Sequence, residues 1–369
     1  MKLYNWQQKD WPHFKYSLDS VDEILFRFSE KLGRVSGIVE SLPPQIQQNI
    51  LVDIMLAEAI KTSAIEGEFP DRIDVLSSIK MNLGLHTDRK VHDKSSKGLA
   101  DLMIDVRKTY RDILTIDKLF AWHKMLMGTN KKVRAGAWRA HKEPMQVVSG
   151  TIGKENIHFE APPSYQVPGE MNKFIRWFNE TAPGGRHEIK RAPVRSAIAH
   201  LYFESIHPFE DGNGRVGRAI AEKALSQTLG CPVMLSLSRT IESNKKLYYK
   251  SLEQAQRSNE ITPWIEYFLT TTLNAQIDAE IQVEFTLKKT KLFNRFKDLL
   301  NDRQLLVIQR MLEEGPTGFE GGMNARKYMG IAKTSKATAT RDIQRLTHIG
   351  VFTSLPGRGR SSSYTLALT

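Results

Sequence analysis

The chain of 369 residues has one cysteine, Cys231, and no long apolar run. A single cysteine excludes an internal disulfide bond and favours a reducing compartment. No stretch approaches the roughly 18 apolar residues of a membrane-spanning helix, and the first residues lack the apolar core of a signal peptide. We therefore expect a cytoplasmic protein with no membrane partner.

The sequence also lacks internal repeats, low-complexity segments and the P-loop motif G-x-x-x-x-G-K-[S/T]. The missing motif disfavours a P-loop kinase or ATPase. Hydrophobic residues make up 40% of the chain and charged residues 25%, which is typical of a globular protein. A chain of this length predicts two or three domains.

Positive charge is abundant, because the net charge is +12. Residues 324–369 hold eight Lys or Arg and one acid, Asp342, so +7 of that charge lies in this last segment. Such a balance is compatible with a polyanionic partner such as a nucleotide or a nucleic acid, without proving one.

Apolar residues recur at helical spacing along most of the chain, which predicts a mainly α fold. The stretch around Gly150 and Gly153 instead alternates β-branched residues and predicts a short hairpin. The predicted helices of the body cover residues 18–39, 43–67, 99–114, 116–127, 167–181, 193–206, 216–229, 240–256, 262–283 and 286–300.

The stretch HPFEDGNGRVGR, residues 207–218, combines several groups suited to bind phosphate. Glycines at 212 and 214 allow backbone N–H groups to converge on an anion, at the start of a helix predicted from about Arg215. Arg215 and Arg218 are three apart on that helix and suit phosphate oxygens. Asp211 would repel phosphate without a bridging cation, so Mg²⁺ is implied. His207 is suited to act as a general base.

This stretch matches the pattern H-P-F-x-[D/E]-G-N-G-R-x-x-R without a departure, and the chain resembles the Fic family. The resemblance implies transfer of AMP from ATP to a Tyr, Thr or Ser hydroxyl of a target protein. It implies that His207 takes the hydroxyl proton and that Asp211 holds Mg²⁺. It places in the nucleotide site Asp211, Gly212, Asn213, Gly214, Arg215, Val216, Gly217 and Arg218.

Two further segments resemble parts of the family's nucleotide site. The strand Val147, Val148, Ser149, Gly150 resembles a flap that pairs with the target as an added strand, although a purely structural hairpin is the alternative. The segment NKKLYYKSLEQAQ resembles the one that packs on adenine and ribose. It contributes Tyr248, Tyr249 and Gln256, with Gln256 where relatives carry Asn.

The stretch TSAIEGE, residues 62–68, resembles the inhibitory motif [S/T]-x-x-x-E-[G/N] through Thr62, Glu66 and Gly67. The resemblance implies that Glu66 pairs with Arg218 and occupies the place of the γ-phosphate. Glu-Gly is also a common helix end, which is the structural alternative. The same glutamate could instead position water for removal of AMP, and the sequence does not separate these roles.

The basic tail predicts three helices and a hairpin, which resembles a winged helix-turn-helix with its turn at Gly330-Ile331 and its wing around Gly357. Arg358 and Arg360 would lie on the wing, and DNA or a protein could be the partner. The third helix would present Thr334, Ser335, Lys336, Thr338, Thr340 and Arg341.

These segments predict three regions. Residues 1–98 form a helical region with the inhibitory motif, residues 99–300 form the Fic core and following helices, and residues 301–369 form the winged helix. The leading hypothesis is a protein adenylyltransferase that uses ATP and Mg²⁺ and also modifies itself. The alternative is a nucleotide-responsive regulator that binds DNA, and a homodimer stays open.

Overall fold

In a computed structural model, the structure describes residues 3–87, 90–151, 154–356 and 362–368. The chain divides into two compact units. Unit 1 comprises residues 1–37 and 51–277, and unit 2 comprises residues 38–50 and 278–369. In the described ranges, no helix combines the length and the apolar character that crossing a bilayer requires.

Helices dominate the fold, as the sequence predicts, and two antiparallel strand pairs complete it. The helices are α1 (Asp22–Glu40), α2 (Pro44–Ile65), α3 (Arg72–Asn82), α4 (Lys94–Lys108), α5 (Ile116–Met127), α6 (Val167–Glu180), α7 (Ala192–Ile206), α8 (Asn213–Leu229), α9 (Leu237–Ser243), α10 (Lys245–Ala255), α11 (Thr262–Phe296), α12 (Asp302–Leu312), α13 (Ala325–Ala332) and α14 (Lys336–His348). The strands are β1 (Gln146–Thr151), β2 (Lys154–Glu160), β3 (Phe352–Ser354) and β4 (Tyr364–Leu366).

Most predicted helices are confirmed, although several bounds differ: the helix predicted for 99–114 is α4, and three further differences change the number of helices. The helix predicted for 240–256 is divided into α9 and α10 at Asn244, whose side chain accepts from the N–H of Leu247 and so starts a new helix. The two helices predicted for 262–283 and 286–300 are one helix, α11. Helix α3 was not predicted, and Asp71 caps its first turn.

Helix α7 runs through the core of unit 1, and all of its residues from Ala192 to Ile206 are buried. Because α7 is buried on every side, it has no solvent face and is surrounded by other elements. Helix α8 packs along it, and Val216 and Ile220 of α8 lie in the same hydrophobic cluster. The rigid pair α7 and α8 flanks the loop from His207 to Gly212.

The predicted hairpin is present as β1 and β2, with Gly150 in β1 and Gly153 outside the described residues. Val147 pairs with Phe159 and Val148 pairs with Ile157, so His158 is an extra residue in β2. This bulge interrupts the alternation of the strand and reorients the side chain of His158. His158 thereby lies between Ser149 Oγ at 2.6 Å and Glu253 Oε2 at 3.1 Å.

Unit 2 contains α12, α13, α14 and the pair β3–β4, in the predicted order. The turn was placed wrongly at Gly330-Ile331, because both residues lie inside α13. The chain turns instead at Lys333, which adopts a left-handed conformation with φ of 46°. The predicted wing residues Gly357, Arg358 and Arg360 lie outside the described residues.

Candidate nucleotide site

His207 stands at the C-terminal end of α7 in the left-handed region, with φ of 50° and ψ of 60°. This conformation is uncommon for a residue with a side chain, so neighbouring groups must hold it. Arg139 is buried and donates from Nε to the carbonyl of His207 at 2.8 Å. It also donates from Nη2 to the carbonyls of Pro162 and Ile206. Burial lowers the pKa of Arg139 to about 10, which still leaves it charged at neutral pH.

Asn213 fixes the other end of the loop. Its Oδ1 accepts from the N–H of Phe209 and its Nδ2 donates to the carbonyl of Phe209, both at 2.9 Å. An amide supplies the donor and the acceptor that this pairing needs. The side chain of Asn213 is therefore committed to the loop rather than turned to a phosphate. Helix α8 begins at Asn213, two residues before the predicted start, after Gly212 with φ of 78°.

His123 supports the same loop from α5. Its Nδ1 accepts from the N–H of Gly136 at 2.9 Å, so its Nε2 carries the proton and donates to the carbonyl of Asp211 at 3.1 Å. The ring stacks on Phe209 with 3.9 Å between ring centroids. Burial lowers the pKa of His123, which keeps the neutral form that makes both hydrogen bonds.

The two arginines of the loop are brought together at the start of α8, and both are buried. Within the described part of the chain, Arg215 Nε, Arg215 Nη2 and Arg218 Nη1 are buried donors without a hydrogen-bond partner. No side chain caps the first turn of α8, so its N–H groups add to this set. Unpartnered buried donors are costly to maintain, and a phosphate group would satisfy them. The residues present therefore fit the phosphates of ATP.

Glu66 contacts Arg218, as the inhibitory motif predicted. Arg218 Nη2 donates to Glu66 Oε1 at 2.6 Å. Arg218 Nε also donates to Thr62 Oγ1 at 2.7 Å, so Thr62 takes a direct part in the contact. Burial by itself lowers the pKa of Arg218, but the charge and hydrogen bond of Glu66, together with Tyr248 and Glu204, raise it above its ordinary value. Gly67, with φ of 81°, ends the turn after α2.

A second carboxylate, Glu68, reaches the other arginine, because Arg215 Nη1 donates to Glu68 Oε2. Gly214 lies beneath Glu66, and a Cβ at Gly214 would overlap Glu66 Oε1. The glutamate therefore sits directly over the first turn of α8, where the helix attracts anions. Arg215 and Arg218 are thus each paired with a carboxylate from the segment after α2.

The predicted adenine segment contacts the protein itself. Tyr248 is buried and its hydroxyl lies 2.9 Å from His200 Nε2, and burial raises the pKa of Tyr248 well above its ordinary value. Gln256 is buried and donates to the carbonyl of Glu204 at 3.1 Å. Tyr249 is partly exposed and donates to the carbonyl of Ile65, the last residue of α2, at 3.1 Å. Lys245 of the same segment donates to this carbonyl as well, also at 3.1 Å, so Tyr249 and Lys245 both contact the end of α2.

The carboxylate of Asp211 is half exposed, at 51% of its side chain. One oxygen accepts from the N–H of Gly212 at 2.5 Å, which orients the group. In the described ranges, no cluster of three or more His, Cys, Asp or Glu surrounds it. Mg²⁺ is commonly held by one or two carboxylates with substrate phosphates and water, so Asp211 fits a magnesium site that forms with the nucleotide.

The remaining predicted positions divide between the surface and the core. Val148 and Ser149 of β1 are exposed, and Val147 is half buried. The side chain of Val216 is packed in the core. Gly217 faces α7, where a Cβ would overlap the carboxylate of Glu204. Val216 and Gly217 thus serve the packing of α8 on α7 and do not turn toward the nucleotide donors.

Comparison with known proteins identifies this part of the chain. The Fic/DOC family matches residues 113–225, which include the whole loop from His207 to Arg218. The chain contains a Fic domain. A second family, a domain of unknown function (DUF4172), matches residues 4–85, the region that carries Glu66 and Glu68 upstream of the Fic domain.

Similar proteins carry the name adenylyltransferase. The chain is 24% identical over 255 residues to "Protein adenylyltransferase Fic" of Nematostella vectensis, covering 68% of this chain and 54% of that protein. It is 33% identical over 120 residues to "Probable protein adenylyltransferase aq_aa38" of Aquifex aeolicus, covering 32% of this chain and 33% of that protein. The chain therefore matches about half or less of the length of these relatives.

Solved structures share the fold. A Fic family protein from Desulfovibrio desulfuricans G20 has a TM-score of 0.55 at 20% identity, and covers 96% of this chain and 98% of its own. A Fic domain containing signaling protein from Bacteroides thetaiotaomicron has a TM-score of 0.51 at 18% identity, and covers 69% of this chain and 95% of its own.

Four residues that shape the Fic site were not predicted from the sequence, namely Glu68, His123, Arg139 and Glu204. Glu68 stands directly after Gly67, the last residue of the TSAIEG motif. Its negative charge beside that motif was the one signal in the sequence that could have identified it. His123 and Arg139 lie far from the loop in the chain, and only the fold brings them to it. Glu204 lies on a helix whose other residues are mostly apolar, and it could have been noticed as a buried acid three residues before His207.

Proposed function

We propose that this chain transfers AMP from ATP to a hydroxyl group of Tyr, Thr or Ser on a target protein, and also on itself. The observation that carries the proposal is the set of unpartnered, buried N–H donors of Arg215 and Arg218 at the start of α8, in the same motif as His207. A phosphate site beside a positioned imidazole suits attack of a hydroxyl on phosphorus. The names of the similar proteins support this reading.

The reaction follows from the roles of these side chains. The acceptor hydroxyl gives its proton to His207 while its oxygen bonds to the α-phosphorus, and the bond to pyrophosphate breaks. Backbone N–H groups of the first turn of α8 stabilise charge on the α-phosphate, and the arginines hold the outer phosphates. Mg²⁺ at Asp211 would neutralise phosphate charge when bound.

The proposed resting state is restrained. Arg218 is paired with Glu66 and Arg215 with Glu68, so both arginines are held by carboxylates where phosphates would otherwise bind. ATP then competes with Glu66 for Arg218 and seats with its α-phosphate misplaced for attack. The alternative role of Glu66, positioning water for removal of AMP, uses the same location and is tested by measuring release of AMP from labelled protein in the absence of ATP.

The decisive experiment incubates the full chain with α-labelled ATP and Mg²⁺. Three proteins are compared, namely the natural chain, Glu66→Gly, and Glu66→Gly with His207→Ala. Strong labelling of the Glu66→Gly protein that disappears with His207→Ala, while ATP binding persists, supports the proposal. Equal labelling with and without His207 would remove that residue from the role of base.

A second candidate function concerns unit 2, because α14 has an exposed basic face. Lys336, Thr340 and Arg341 are exposed, while the one acid of the segment, Asp342, is buried and bound by Arg303 and Tyr328. Because the negative charge of Asp342 is buried and paired, the surface of α14 favours contact with a polyanion. DNA is the candidate polyanion. This function is compatible with AMP transfer by unit 1.

A DNA-binding assay tests it. The double variant Lys336→Ala with Arg341→Ala is compared with Arg310→Ala, which removes an exposed arginine of α12 that is paired with Glu314. We expect salt-sensitive binding that weakens in the double variant and persists in the control. Binding that is absent, or equal in both variants, refutes the assignment and favours protein docking.

A further inference from the structure

The geometry of α7 sets a buried acid beside the proposed base. Glu204 lies one helical turn before His207, and its Oε2 is 3.6 Å from His207 Nδ1. The side chains of Glu204 and His207 are 5% and 15% exposed, so the contact between them is shielded from water. Within the described part of the chain, His207 Nδ1 is a buried atom without a hydrogen-bond partner, and so is Glu204 Oε1.

Glu204 is negatively charged in this environment. Burial by itself raises its pKa, but the contact with His207 and the charges of His200, His207 and Arg218 together lower the pKa below its ordinary value. These three side chains lie on α7, in the following loop and on α8. Tyr248 of α10 also faces this group, and its neutral hydroxyl is engaged with His200.

The surroundings keep the carboxylate in one place. Gly217 of α8 approaches so closely that any Cβ there would overlap Glu204 Oε1. The backbone carbonyl of Glu204 is bound by Gln256 Nε2 at 3.1 Å, which ties this turn of α7 to the end of α10. The close backbone of Gly217 and the tie to α10 restrict the space of the carboxylate on the side away from His207.

We propose that Glu204 is the positioning residue that holds His207 as the Nδ1–H tautomer, so that Nε2 is free to accept the proton of the acceptor hydroxyl. This inference rests on the proposed AMP transfer. During the reaction the hydroxyl proton moves to Nε2, the oxygen bonds to the α-phosphorus and the bond to pyrophosphate breaks. The imidazolium that results is stabilised by the carboxylate beside Nδ1, because an ionised partner in a site shielded from water interacts strongly.

The experiment compares Glu204→Gln and Glu204→Asp, each in the Glu66→Gly background. Glutamine keeps the shape of the side chain and loses the charge, while aspartate keeps the charge and shortens the reach. Glu170→Gln is the matched control, because Glu170 is a largely buried carboxylate of α6, away from the loop. Its carboxylate accepts a hydrogen bond from Trp11 and pairs with Lys173. Thermal unfolding confirms that each variant is folded.

We expect Glu204→Gln to lower kcat by about tenfold or more, as loss of a correctly oriented base does. The KM for ATP should stay within about twofold, because the phosphate-binding groups are unchanged. Glu204→Asp should recover part of kcat, and Glu170→Gln should leave both constants unchanged. A kcat within about twofold of the parent, or a loss confined to KM, overturns the inference.

A second readout does not depend on activity. The ¹⁵N chemical shifts of the His207 ring report which nitrogen carries the proton. We expect Nδ1–H in the parent and a mixture of both tautomers in Glu204→Gln. If both proteins show the same tautomer, the role of Glu204 is overturned, even when the parent transfers no AMP. If the tautomer changes in Glu204→Gln but the parent transfers no AMP, only the proposed function is refuted.

Discussion

Replacement of Glu66 by Gly is expected to activate the protein by releasing Arg218. In the structure, Arg218 Nη2 donates to Glu66 Oε1 at 2.6 Å, and Arg218 is 2% exposed while Glu66 is 28% exposed. A hydrogen bond to a charged partner contributes about 1.5–3 kcal/mol to stability. We expect the lower part of that range, because water reaches one side of the glutamate.

The expected gain is at least tenfold in the initial rate of self-labelling, which corresponds to about 1.4 kcal/mol of restraint removed. The assay follows incorporation of α-labelled ATP at a concentration of ATP below saturation, where competition for Arg218 matters most. Release of AMP from labelled protein is measured separately without ATP, so that addition and removal are distinguished.

Matched variants separate the contributions. Glu66→Ala should activate as much as Glu66→Gly, because both remove the carboxylate, whereas Gln should give an intermediate rate since it retains an acceptor without charge. Thr62→Ala should give a smaller gain, because Thr62 offers Arg218 a neutral hydroxyl partner. Arg218→Ala should show no gain, since the phosphate donor is lost together with the restraint.

The reasoning is refuted if Glu66→Gly and Glu66→Ala both label themselves at the rate of the natural chain or below it while ATP still binds. Glu66 would then be a helix-end residue without a restraining role. Slower removal of AMP in the same variants would assign it instead to the reverse direction.

Three other predictions follow from the same site. Glu68→Gln should raise self-labelling severalfold by freeing Arg215, and should add to Glu66→Gly; an unchanged rate in both backgrounds would show that the exposed Glu68 does not restrain Arg215. Transfer should stop with chelator and return with Mg²⁺ or Mn²⁺, and Asp211→Asn should need more metal for half-maximal rate; full activity in excess chelator contradicts the role of Asp211. Burial lowers the pKa of His123 below 6.5, so its contribution to stability is complete above pH 6.5 and is lost as the pH falls from 6.5 through the lowered value. The free energy of unfolding in urea should fall less between pH 7.5 and pH 5.5 in His123→Gln than in the natural chain. An equal fall in both proteins would exclude His123 as a contributor.

The loop from His207 to Arg218 and most helices followed from the sequence, because each depends on local features. A glycine that needs a positive φ, two arginines on one turn and an apolar period of 3.6 residues are visible within a few positions. The pairing of Glu66 with Arg218 was also predicted, but from a motif that resembles one in a known family. Its geometry, and the direct contact of Thr62, required the structure.

The remaining features were decided by tertiary contacts between distant residues. The left-handed backbone of His207 is held by Arg139, 68 positions earlier, and the carbonyl of Asp211 by His123, 88 positions earlier. Tyr248 and Gln256 are the right residue types for a nucleotide, yet α7 takes up both of their polar groups. Composition and spacing thus determined which groups gather at the start of α8. Long-range packing alone determined how they are oriented, because burial and hydrogen bonding depend on neighbours that the local sequence does not contain.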